Sequence, residues 1–140
     1  MPLPSSKHQR QAAIGVIFQD RRFLVIERAQ TVRAPGKLCF PGGGIEEGET
    51  VAEAVVRELK EELNLNVDPR QQVWQSSAPS GCILNWIHVD IPTNQPPLPN
   101  PNEVADWYWM TAEEMMQNPN TLKSNIEFIQ IWQLGKFELA

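Results

Sequence analysis

The sequence predicts an α/β sandwich, and three observations carry that prediction. Its 140 residues suffice for one core but not for two. Hydrophobic residues at 41% and charged residues at 21% match a folded globular chain and exclude a disordered one. Apolar runs of strand length are interspersed with segments of helical period, with no internal repeat.

The elements follow in order. Residues 1–9, with Pro2, Pro4 and Ser5-Ser6, read as a flexible tail, and residues 10–140 as a single domain. Lys7 and Arg10 before the apolar run Ala12 to Phe18 imitate a signal peptide. That run is short, lacks a small-residue cleavage site after it and ends in Asp20-Arg21-Arg22, so a buried strand is expected and a cytoplasmic location with it. Ala12 to Phe18 and Phe23 to Ile26 form a hairpin pattern around those three residues. Residues 29–49 hold Pro35, Gly36, Pro41, Gly42-Gly43-Gly44 and Gly48, the composition of a long functional loop.

Thr50, with Glu53 three places on, is a capping box that opens a helix running to Leu63. Strands are expected at Gln72 to Gln75 and Cys82 to Ile91. Five prolines between Pro92 and Pro101 force an extended or turning loop. Trp107 to Met110 reads as a short strand, and Thr111 with Glu114 opens a short helix ahead of Pro119. Ser124 or Asn125 is expected to cap a last helix, whose Ile126, Phe128, Ile129, Ile131 and Trp132 dock on a sheet.

Composition also excludes functions. A net charge of −5 argues against a binder of nucleic-acid backbones. No apolar stretch approaches the roughly 18 residues of a membrane span. Cys39 and Cys82 form neither a disulfide framework nor a zinc spacing, which suits a reducing compartment. The acidity is local: Gly43 to Leu65 holds seven acids and two bases, and the rest of the chain balances.

On a helical wheel at about 100° per residue, Val55, Leu59 and Leu63 form a core stripe, with Ala52 and Val56 beside it. Glu58, Glu61 and Glu62 share an arc of about 100° that flanks this stripe instead of opposing it. Carboxylates at i, i+3 and i, i+4 repel by a few tenths of a kcal/mol per pair. A solvated acidic face is one reading. A site for a hard cation such as Mg²⁺, Mn²⁺ or Ca²⁺ is the other. The preceding Pro41-Gly42-Gly43-Gly44 favours the second, because glycines permit close backbone approaches and converging amides that can hold an anion.

These residues resemble the Nudix hydrolase signature. Gly43, Glu49 and the run Arg57-Glu58-Leu59-Lys60-Glu61-Glu62-Leu63-Asn64-Leu65 match it at every position but one. Asn64 stands where the family has glycine, at a left-handed helix end that Asn tolerates next best. The resemblance implies a sandwich with a mixed β-sheet between helices, and hydrolysis of a nucleoside diphosphate linked to another group X. It implies that Glu58, Glu61 and Glu62 bind a divalent metal, Mg²⁺ or Mn²⁺. Glu49 would supplement them or orient Arg57, which would in turn fix the carboxylates. The Gly42 and Gly43 backbone would shape the site around the scissile diphosphate.

The family takes its general base from this helix or from a later loop, and Glu103 is the loop candidate. Arg28 and Lys37 are candidates for holding a phosphate or ribose. Trp86 is a candidate for stacking on a base, or a core aromatic. Asn125 is a candidate reader of a purine edge, or a helix cap. His88 is expected to be structural. The implied partner is a small-molecule nucleotide, with no nucleic-acid polymer or membrane, acted on by a monomer or homodimer; Trp107-Tyr108-Trp109 is either core or part of a dimer interface. A nucleoside triphosphate, as in the mutator-type members, and an ADP-ribose-like compound are the substrates expected; a non-catalytic nucleotide-binding module is the alternative.

Overall fold

The computed structural model describes residues 9–92 and 95–139, so the expected tail falls outside it but for Gln9. Among the described residues eight strands form two sheets. One is mixed, in the order β5–β1–β7–β6: β1 (Gln11–Val16) runs parallel to β7 (Ile83–Asp90), and β5 (Gly42–Gly44) and β6 (Asp68–Ser77) pair antiparallel at its edges. The other is antiparallel, with β3 (Arg22–Arg28) paired to β2 (Phe18–Gln19), β4 (Leu38–Cys39) and β8 (Val104–Met110).

Side chains of successive strand residues point to opposite faces, and here both faces are covered. Leu24, Ile26, Ala13 and Ile87 join Val55, Leu59 and Leu63 of α1 (Val51–Leu63) in one core cluster. Phe23, Val25, Leu84 and Trp86 join Met115 of α2 (Ala112–Gln117) and Phe128 and Ile129 of α3 (Lys123–Gln133) in the other. The sheets therefore lie between α1 and the α2–α3 pair, the layered α/β arrangement expected. Among the described residues no helix is long and apolar enough to cross a membrane.

Four local expectations change. The hairpin turn is present, with Asp20 and Arg21 at φ of 50° and 64°, but it joins β2 to β3. The run before it divides at Ile17, where the chain leaves one sheet for the other and the Ile17 carbonyl accepts from Leu24 N–H at 3.0 Å. The glycine run expected to be loop is edge strand β5, with Ala12 opposite Gly44. Val56 is exposed and Ala54 is buried in its place, so the covered arc of α1 is turned toward the glutamates. Neither Ser124 nor Asn125 caps α3: the helix starts before them, from Leu122 with no side-chain cap, and the Asn125 side chain bonds to Phe40 N–H instead.

Candidate active site

Local rules fix the helix that carries the acids. Thr50 Oγ1 accepts from Glu53 N–H while Glu53 Oε1 accepts from Thr50 N–H, satisfying two otherwise unpaired donors. At the other end Asn64 sits at φ 52°, ψ 35°, and its N–H bonds back to the Lys60 carbonyl at 3.0 Å. The left-handed end expected of the signature is therefore made by Asn.

Between these ends the carboxylates divide. Glu61 is half in solvent, whereas Glu62 is buried at 7% exposure and the Glu58 side chain at 12%. Their cover is backbone. Gly42 N–H donates to Glu62 Oε1 at 3.0 Å. A Cβ on Gly43 would lie 2.5 Å from Glu58 Cδ, and one on Gly42 2.2 Å from the Ala13 carbonyl oxygen. Only glycine lets β5 lie this close to two acids and to β1 at once. Proximity to the glycines is why these two acids are buried without lying on the apolar stripe.

Arg57 ties the array together. Its Nε and Nη2 form a fork on Glu49 at 2.8 and 2.9 Å, Nη1 donates to Glu58 Oε1 at 2.9 Å, and Nη2 also reaches the Gly44 carbonyl at 2.8 Å. Glu46 and Glu61 lie further off, at 3.5 and 3.6 Å. Planar, bidentate geometry of this kind is available to Arg and not to Lys. The fork on Glu49 holds that carboxyl down at a pKa of about 2. Glu58 is raised all the same, because burial outweighs Arg57.

Glu103 arrives from the proline-rich loop. The loop is moored to carbonyls that α1 leaves unpaired at its end: Asn100 N–H donates to Glu62 O and Leu98 N–H to Leu63 O, both at 2.8 Å. Glu103 Oε2 is buried without a hydrogen-bond partner. Glu62 is pushed well above the ordinary carboxylate range by burial first, then by Glu58 and by Glu103. Burial raises both Glu58 and Glu62, the Glu103 charge adds to each, and side chains that offer only oxygen have the donor chemistry that suits a hard divalent cation. Among the described residues no three such side chains already stand at chelating distance; Glu58 is instead held by Arg57.

The remaining candidates separate. Arg28 lies near enough to Glu62 for its charge to lower that carboxyl, and its Nη1 lies 3.9 Å from Cys39 Sγ. Lys37 is half-buried, with its carbonyl accepting from Arg28 N–H at 2.9 Å. Trp86 is a core residue. It is fully buried, stacked on Phe128 at 4.7 Å, with Nε1 donating to Ser76 Oγ, so it presents no face to a base. Asn125 is 2% exposed and its Oδ1 accepts from Phe40 N–H at 2.9 Å. His88 is buried. Tyr108 is exposed, and Trp107 and Trp109 pack against the α1-side core. Sequence reasoning missed the Gly44 carbonyl, the mooring by Asn100 and the contact of Cys39 with Arg28. None has a local signal, since each depends on distant segments meeting.

A comparison with protein families matches the NUDIX domain model to residues 8–130. The chain is 50% identical over 60 residues to an ADP-ribose pyrophosphatase of Methanocaldococcus jannaschii, a match spanning 41% of this chain and 34% of that one. It is 28% identical over 127 residues to phosphatase NudJ of Escherichia coli, covering 86% of this chain and 81% of the relative. Its fold matches the crystal structure of a MutT protein from Methanosarcina mazei with a TM-score of 0.76 at 20% identity, covering 91% and 95% of the two chains.

Proposed function

The chain belongs to the NUDIX domain family and is a Nudix pyrophosphohydrolase, and from that premise we propose that it needs a divalent cation and cleaves the diphosphate of a nucleoside diphosphate linked to X. The observation that carries the proposal is the packing of Glu58 and Glu62 against the Gly42–Gly43 backbone, with Glu103 and Arg28 near enough for their charges to act on Glu62. The name of the Methanocaldococcus relative supports an ADP-ribose-like substrate, and the resemblance to the mutator-type members supports a nucleoside triphosphate. We place the enzyme in the cytoplasm, as a monomer or homodimer acting on a free nucleotide.

Glu58, Glu61 and Glu62 would hold the cation, Mg²⁺ or Mn²⁺, whose bound form supplies Lewis acidity and neutralises the diphosphate. Gly42 N–H keeps Glu62 oriented, and the Arg57 fork keeps Glu49 and Glu58 in place. Arg28 binds a phosphate oxygen. Glu103 takes the proton of the attacking water at Oε2, the oxygen left without a partner.

Glu62→Gln tests this reading, because the amide oxygen still accepts from Gly42 N–H while the charge is gone. Standard and 8-oxo nucleoside triphosphates would be assayed with Mg²⁺ and inorganic pyrophosphatase; ADP-ribose, nucleotide sugars and dinucleoside polyphosphates would be assayed with alkaline phosphatase. At least one substrate should be hydrolysed, with the variant losing nearly all turnover. In EDTA the variant should melt at or above the wild-type temperature, since a buried charge is removed. A fully active variant sinks the proposal, and nucleotide binding without any turnover would leave a binding module.

A further inference from the structure

Arg28 is held in an unusual way for a guanidinium whose charge acts on a buried acid, Glu62. It makes no ion pair among the described residues. Its two side-chain acceptors are neutral: Nε donates to the Arg33 carbonyl, and Nη1 contacts Cys39 Sγ at 3.9 Å. Cys39 lies on β4 directly across from Ile26 of β3, 5% exposed, and the neighbouring Arg28 N–H is fixed by the Lys37 carbonyl. The guanidinium is therefore oriented from two sides, yet its charge is left unspent.

On the reading that Arg28 binds a phosphate of the substrate, we propose that Cys39 is a positioning residue, a neutral acceptor that aims Arg28 at the diphosphate without neutralising it. A carboxylate in its place would orient Arg28 more strongly and cancel the charge the substrate must meet. A thiol avoids this. It is a weak, uncharged acceptor that fits an apolar core, and Cys39 belongs to the buried cluster that includes Ile26, Leu59 and Val104. Burial pushes the Cys39 thiol up to about 11, so it stays uncharged at neutral pH despite Arg28.

Asn and Asp at position 39 differ in charge and hardly in shape, which makes the pair decisive. Titration calorimetry with imidodiphosphate, a non-hydrolysable diphosphate, in Mg²⁺ buffer would measure binding by wild type, Cys39→Asn, Cys39→Asp and Cys39→Ala. Thermal melting would establish that each is folded. Cys39→Asn should bind within about threefold of wild type, and Cys39→Asp at least tenfold more weakly, with KM raised to match and kcat changed far less. Cys39→Ala keeps the charge but loses an anchor and should bind a few-fold more weakly, and it carries the test if the polar variants do not fold.

Equal binding by Cys39→Asp and wild type, equal loss in Asn and Asp, or an unchanged Cys39→Ala each overturns the positioning role. The hydrolase reading survives all three so long as wild type binds imidodiphosphate and Glu62→Gln is inactive. If wild type does not bind imidodiphosphate, the phosphate role of Arg28 falls, and the role of Cys39 with it.

Discussion

Gly43→Ala should abolish most catalysis while leaving the protein folded. The added methyl would stand 2.5 Å from Glu58 Cδ, and 2.6 and 2.7 Å from its two oxygens. Carbon atoms rest at about 3.5 Å or beyond, so the carboxylate must retreat by about 1 Å. It can do so because it ends a flexible side chain, but it must then leave the position in which Arg57 Nη1 holds it at 2.9 Å. A displacement of that size at a reacting centre costs on the order of 100-fold in rate, about 2.7 kcal/mol of barrier. Gly43 has no positive φ, so Ala meets no backbone strain there, and stability should change by no more than about 1 kcal/mol. Gly44→Ala is the control, since nothing lies within 4 Å of its added Cβ. Steady-state hydrolysis and thermal melting of both variants decide the matter. Near wild-type kcat in Gly43→Ala, or an equal loss in Gly44→Ala, would refute the idea that β5 sets the position of Glu58.

Two further outcomes follow from the same contacts. Asn64→Gly should raise stability by about 1 kcal/mol, seen as a rise of a few degrees in Tm with kcat unchanged, because glycine meets no Cβ penalty at φ 52°; a fall in Tm would show that the Asn side chain contributes more than its backbone costs. Glu49 has its pKa lowered in the fold to about 2, so its stabilising pair with Arg57 is fully present above the unfolded value near 4.3 and lost as pH falls toward 2. A melting series between pH 6 and 2 should therefore show a shallower acid limb in Glu49→Gln, and identical limbs would count against the pair.

What could be read from the sequence was what neighbours in the chain decide. Both capping boxes and the left-handed turn at Asn64 lie within spans of a few residues, where spacing alone fixes geometry. The division at Ile17 was not readable, because Val16 and Ile17 are both apolar and both buried, and the alternation is the same whichever sheet a residue joins. The covered arc of α1 was misplaced for a related reason. A wheel weighs only the helix's own side chains, and the cover over Glu58 and Glu62 is supplied by the backbone of β5.

Asn125 shows the limit most clearly. At the head of a helix its residue type suits a cap, and in a nucleotide site it suits a base edge. Its actual partner is Phe40 N–H, 85 residues earlier in the chain. That bond spans from α3 to the segment between β4 and β5, one residue before Pro41 and two before the glycine that donates to Glu62. A buried N–H left unpaired costs about 1–3 kcal/mol. Using Asn125 to read a base therefore requires a ligand that supplies Phe40 N–H with an acceptor of its own. A purine carbonyl or ring nitrogen meets that condition, and an aliphatic sugar edge without a suitably placed oxygen does not. The group at that position would then be selected by an exchange of partners, coupled through Phe40 to the strand that covers Glu58 and Glu62.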